Sequence, residues 1–284
     1  MRAPARSGYG NPMTDVTFDE DTGLAVRRHG PAPGEAPILV FLHGLTDSGE
    51  GWPDAVRHWQ DRYAILAPDQ RGHGRSPRFT PEELERHPGE VMVEDAVTLL
   101  ERLPEPPVVI GHSLGGAVAW TVAVRRPELV RGIVLEDPAP LGPDEPVRDP
   151  ARGTDFLAGV ERSRAASDDE TLLRQRREDH PDWPETELLV TGRAEQQTDV
   201  DYLAYGDLKP TTRWPELVDR LRVPALVLTG DAMDEVCVYP EMEAALRRAD
   251  GVEVLRLPGA GHCVRREQPQ AYYDAVERWL ASLT

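Results

Sequence analysis

The chain has 284 residues, 39% of them apolar, and a net charge of −18. That length suits one large α/β domain; the charge excludes nucleic acid or an anionic membrane as partner, and no apolar run is long enough to span a bilayer. Two cysteines are too few for a disulfide framework and no Cys/His spacing resembles a zinc site, so the expectation is a cytoplasmic protein with free thiols and no metal.

Residues 1–13 carry Arg2 and Arg6 with no apolar stretch behind them, which is not a secretory signal. They read as a disordered, Pro/Gly-rich lead-in. Runs at 16–18 and 24–28 predict an antiparallel pair that starts the sheet. From about residue 36, short β-branched runs at 38–42, 64–67, 108–110, 133–135, 225–229 and 252–257 alternate with helical stretches. The helices fall at 52–60, 91–103, 114–126, 214–220, 241–248 and 270–283. Continuous apolar strands alternating with helices predict a mostly parallel central sheet with helices on both faces.

The alternation breaks between 141 and 212, a charged stretch broken by Pro143, Pro146, Pro150, Pro181 and Pro184. Helix-like runs at 155–164, 170–178 and 185–197 predict a helical lid inserted over the carboxyl edge of the sheet, where open α/β sheets bind ligands. The core is then 14–140 and 213–284.

The strongest motif is Gly111-His112-Ser113-Leu114-Gly115, between a predicted strand and a predicted helix. A tight strand-to-helix turn forces the serine into a strained conformation, and the glycines two residues to either side remove clashing side chains. The hydroxyl then stands clear near a helix N-terminus, so Ser113 is the expected nucleophile. His43-Gly44-Leu45 follows strand 38–42, and the backbone amides of Leu45 and Leu114 are the expected oxyanion donors.

A serine hydroxyl needs a base. Of eight histidines, His29, His58, His87 and His180 lie in polar surroundings and read as surface residues, while His43, His73 and His112 sit in glycine-rich turns that they brace. His262, in Pro258-Gly259-Ala260-Gly261-His262, comes just after the last strand and before the final helix. It is the expected base, with an apparent pKa of roughly 6–7.

These pieces, with Asp69-x-Arg71-Gly72-His73-Gly74-x-Ser76, resemble the α/β-hydrolase superfamily over nearly the whole chain except the lid. The resemblance implies an α/β-hydrolase fold and a structural turn at Asp69 and Arg71. It also frames the acid. Most of the superfamily carries it after the strand that follows the lid, three residues beyond a glycine. Here that position is Met233, with Asp231 and Asp234 on either side. Haloalkane dehalogenases and zearalenone hydrolases instead place the acid about two dozen residues after the nucleophile, and Asp137 stands there, 24 residues after Ser113. Asp137 is the expected acid, with Asp234 as the alternative and Glu136 or Asp231 behind it.

The implied activity is cleavage of a small-molecule carboxylic ester or lactone through an acyl-enzyme, without metal or organic cofactor. A bulky resorcylic-type macrolactone is one alternative substrate. Carbon–carbon bond hydrolysis and perhydrolysis use the same constellation, and a ligand-binding receptor on a hydrolase scaffold is the alternative outside enzymes. Ser113 stands against haloalkane dehalogenation and epoxide hydrolysis, which need a carboxylate at the elbow. The lid aromatics Phe156, Trp183, Tyr202 and Tyr205 receive no role, and the oligomeric state stays open.

Overall fold

The computed structural model describes residues 16–283. The expected lead-in at 1–13, and residue 14 where the core was expected to begin, lie outside the described residues.

One sheet is built from β1 (Val16–Phe18), β2 (Ala25–His29), β3 (Ile38–Leu42), β4 (Ala64–Pro68), β5 (Val108–His112), β6 (Gly132–Glu136), β7 (Ala225–Gly230) and β8 (Val252–Leu257). Its order is β1-β2-β4-β3-β5-β6-β7-β8. β1 and β2 pair antiparallel, β2 also pairs antiparallel with β4, and the other pairings are parallel. Every residue of β3, β4, β5, β6 and β7 is buried, as a sheet covered on both faces requires.

The helices are α1 (Pro53–Trp59), α2 (Pro81–Glu85), α3 (Pro88–Glu101), α4 (Leu114–Arg125), α5 (Thr154–Arg164), α6 (Asp169–Asp179), α7 (Glu185–Gln196), α8 (Val200–Tyr205), α9 (Trp214–Arg220), α10 (Pro240–Leu246), α11 (Val264–Glu267) and α12 (Pro269–Ser282). Side chains alternate across a strand, so Ile38, Val40 and Leu42 join one core while Leu39 and Phe41 join the other. The first core takes Val91, Val118, Leu217 and Leu246 from α3, α4, α9 and α10. The second takes Ala55 and Trp59 from α1 and Tyr272, Val276 and Trp279 from α12. Among the described residues no helix is long and apolar enough to cross a membrane.

The chain leaves β3, runs outward to β4, and returns to β5 on the other side of β3. The loops after β3 and β5 therefore flank the point where strand order reverses, which is the ligand crevice of open α/β sheets. Helices α7 and α8 meet segments that follow the strands' carboxyl ends, while α5 packs on α7 and α8 and α6 packs on α7. Asp199, the N-cap of α8, donates its N–H to the Gly72 carbonyl at 2.7 Å and accepts from the Phe79 N–H at 3.1 Å. Glu187 of α7 pairs with Arg266 of α11. At the segment's base Leu141 and Arg213 form a parallel bridge.

Three short helices were not anticipated. α2 was legible, because Thr80 and Glu83 form a reciprocal capping box with Pro81 at the first turn. α8 and α11 are six and four residues long, too short to show helical periodicity.

Candidate active site

Ser113 is the hinge between β5 and α4, with φ 52° and ψ −114°. A non-glycine residue there carries about 1–3 kcal/mol of strain, which the surroundings must hold. Its N–H donates to the Glu136 carbonyl at 3.0 Å, and its carbonyl accepts from Ala117 at 3.0 Å and Ala139 at 3.1 Å. The flanking glycines are required sterically: a Cβ on Gly111 would collide with the Gly115 carbonyl, and one on Gly115 with the Leu42 carbonyl. Among the described residues the other non-glycine positions with positive φ are Thr46, His87 and Asp137. Three of these four strained residues follow β3, β5 and β6 directly or nearly so, and strain of this kind clusters where function holds it.

Asp137 follows β6 and is fully buried. One carboxylate oxygen accepts from the Thr229 hydroxyl at 2.7 Å and the Val238 N–H at 3.2 Å. The other accepts from the Cys237 N–H at 2.7 Å and from His262 Nδ1 at 2.6 Å. Four donors converge on one carboxylate and fix its position. The pairing fixes the His262 tautomer with its proton on Nδ1 and Nε2 free. His262 is tied to the strand carrying Ser113, since its carbonyl accepts from His112 Nε2 at 3.2 Å and the two rings lie 4.8 Å apart.

Burial alone would lower the His262 pKa. The hydrogen bonds that His262 makes with Asp137 and Cys237 outweigh it and raise the pKa well above its ordinary 6.5. The inflection expected at roughly 6–7 therefore moves to higher pH.

The alternative acids are accounted for elsewhere. Asp231 and Asp234 are exposed on the loop after β7. Asp231 caps the turn before His262 by accepting from the Gly259 N–H at 2.9 Å. Asp234, the first alternative, is not the partner of His262, because the loop turns it to the surface. Glu136 points to the opposite side of the sheet and accepts from the Arg265 N–H at 2.8 Å and its guanidinium at 2.9 Å.

The Leu45 amide donates to no acceptor among the described residues. Leu114 opens α4, so its amide has no acceptor within the helix. Both donors are thus free at the switch point. The loop carrying Leu45 is braced by His43, whose Nδ1 donates to the Gly44 carbonyl at 2.8 Å and whose Nε2 accepts from the Gln70 N–H at 2.9 Å. That accepting nitrogen must stay unprotonated. Burial holds His43 down at about 4 and His73 at about 3. Both lie below the ordinary 6.5, so the unfolded chain binds more protons in this window. The melting temperature should fall as pH drops from about 6.5 toward about 4. A scanning calorimetry series over that range checks it, and a flat profile would contradict neutral buried rings.

The remaining histidines divide. His58 and His87 are exposed, but His29 and His180 are half-buried, and His180 stacks on Trp183 with ring centroids 3.8 Å apart. Its surface reading fails because a local charged sequence does not reveal a partner ring three residues on. Of the aromatics between β6 and β7, Tyr202 is core, with its hydroxyl on the Leu208 carbonyl at 2.8 Å.

A buried ionic cluster behind His262 escaped the sequence reading. Arg266 pairs with Asp47 and Glu187, each at 2.6 Å, while Arg265 pairs with Glu136. Arg265 lies over Trp52 at 3.9 Å and Arg266 over Trp183 at 4.6 Å. The cluster fixes α11, the loop after β3 and helix α7 to one another. Two adjacent arginines after the histidine were the only sequence sign of it.

The chain matches the alpha/beta hydrolase family over residues 39–275, and it belongs to that family. The sn-1-specific diacylglycerol lipase ABHD11 of Mus musculus is 29% identical over 266 residues, covering 86% of this chain and 81% of that protein. Lipase LipV of Mycobacterium tuberculosis is 41% identical over 117 residues, covering 41% of this chain; the chain spans 42% of that protein's length. Among solved structures, the enol-lactonase from Burkholderia xenovorans LB400 superposes with a TM-score of 0.70 at 20% identity, covering 93% of this chain and 100% of that one. That last likeness is one of fold.

Proposed function

We propose that the protein is a serine hydrolase that cleaves a carboxylic ester or lactone through an acyl-enzyme. The observation that carries this reading is the 2.6 Å pairing of Asp137 with His262 Nδ1, together with a serine held at φ 52° on a strand-to-helix elbow next to His112, whose ring lies 4.8 Å from that of His262. Ser113 Oγ attacks the substrate carbonyl while His262 Nε2 takes its proton. Asp137 orients the ring and stabilises the imidazolium. The Leu45 and Leu114 amides receive the oxyanion, each worth roughly 2.7–4 kcal/mol in the transition state. The leaving alcohol takes the proton from His262, and water, activated the same way, releases the acid. The helical segment 141–212 acts as the lid and sets substrate choice. The lipase relatives and the enol-lactonase fold likeness support esters and lactones as the class to screen.

A receptor on the same scaffold has no need of a strained serine or of a carboxylate collecting four donors. A panel of p-nitrophenyl esters and lactones separates the two readings, since a receptor leaves the panel intact. The pH dependence follows from the Asp137 pairing. His262 acts as base only when neutral, and the pairing favours its protonated form. The kcat/KM should therefore rise with pH through an apparent pKa above 6.5. A profile flat from about pH 5 to 8 contradicts His262 as base.

A further inference from the structure

Asp137, Cys237 and His262 are far apart in sequence, with no spacing that suggests a ligand set. The fold brings an oxygen, a sulfur and a nitrogen ligand together. One Asp137 carboxylate oxygen, Cys237 Sγ and His262 Nδ1 lie within 4.8 Å of one another, with Sγ 3.7 Å from Nδ1. We propose that this cluster binds a thiophilic divalent cation such as zinc, and that the bound ion switches the hydrolase off. The inhibition rests on His262 serving as the base; the binding does not.

The geometry suits such an ion. Zinc takes imidazole nitrogen and carboxylate oxygen near 2.0–2.2 Å and thiolate near 2.3 Å, which sets tetrahedral ligand atoms about 3.4–3.6 Å apart. Cys237 Sγ and His262 Nδ1 already stand close to that spacing. The Asp137–His262 contact has to open from 2.6 Å by less than about 1 Å. Cys237 is held by its own N–H on Asp137 at 2.7 Å, so its sulfur is anchored beside the ring. Cys237 is half-buried and the His262 side chain is 30% exposed, which leaves an approach from solvent.

The exchange balances. The Cys237 thiol releases its proton to solvent and its sulfur binds as thiolate. The hydrogen on Nδ1 of neutral His262 is replaced by the ion, and solvent delivers a proton to Nε2. Asp137 changes from hydrogen-bond acceptor to ligand, and a water completes the tetrahedron. Thiolate and carboxylate together match the charge of the ion. Nε2 now carries hydrogen and cannot accept one from Ser113.

The test titrates the full chain, stripped with chelator, with zinc chloride during ester turnover. In parallel it is titrated with cadmium chloride while thiolate-to-cadmium charge-transfer absorption is recorded. The expected result is one ion per chain, loss of turnover with zinc, and recovery with EDTA. The cadmium band should appear in the wild type and in Ser113→Ala alike. Cys237→Ser keeps the backbone N–H on Asp137; it should lack the band and need at least about tenfold more zinc for half inhibition. Cys263→Ser should keep both properties. No band in the wild type, a band that follows Cys263, or unchanged zinc sensitivity in Cys237→Ser overturns the proposal. A chain that shows the band but hydrolyses no ester would sink the hydrolase reading and leave the binding site standing.

Discussion

Ser113→Ala is expected to lower kcat for an ester by about 10⁶, to the residual that binding and the proposed oxyanion donors alone would supply. The loss is this large because, in the proposed mechanism, the hydroxyl oxygen forms the covalent bond. The fold should survive. The change removes one side-chain oxygen, and the hydrogen bonds that hold the elbow run through the Ser113 backbone. Alanine tolerates the strained φ no worse than serine, so stability should stay within about 0.5 kcal/mol of the parent. The check is turnover measured beside a thermal melt. A folded variant that retains activity removes Ser113 from the mechanism.

Asp137→Asn lowers kcat by about 10⁴, the cost seen when a triad loses its charge and gains the wrong tautomer. The local geometry adds a second effect. Each carboxylate oxygen faces at least one backbone N–H, Val238 on one side and Cys237 on the other. An asparagine amide nitrogen, in either orientation, meets a donor with a donor. The variant should therefore also lose about 1–3 kcal/mol of stability, the cost of leaving such groups unsatisfied. Asp234→Asn and Asp231→Asn should keep most activity, because both side chains are exposed and neither reaches His262. A steady-state series on the three variants decides the matter. If Asp234→Asn is the crippled one, the assignment of the acid fails.

Much of this arrangement was legible in the sequence, and the reasons are physical. The inner parallel strands are covered on both faces, so they stood out as short apolar runs, and β3 falls on its expected bounds. β8, an edge strand that carries Glu253 and Arg256, also falls on its expected bounds. Ser113 was legible because an elbow requires glycine at fixed offsets. His262 was legible because it follows the last strand. Asp137 was harder. Its position at the end of β6 could be read, but its φ of 38° and its four donors come from Thr229, Cys237, Val238 and His262, all distant in sequence. The Arg265–Arg266 cluster was invisible for a similar reason. A charged residue in a sequence reads as solvated, and only the packing of Asp47, Glu136 and Glu187 around the two arginines reveals that all five are buried.

The central claim is that Ser113 is an activated nucleophile, and covalent trapping tests it most directly. The full chain is treated with a fluorophosphonate, its intact mass is measured, and the adduct is mapped by peptide fragmentation. One phosphonyl group per chain on Ser113, with ester turnover lost in proportion, is the predicted result. Labelling should slow sharply in His262→Ala, which lacks the base that draws off the hydroxyl proton. Stoichiometric label on another residue, or ester turnover that persists with Ser113 fully modified, would contradict the account.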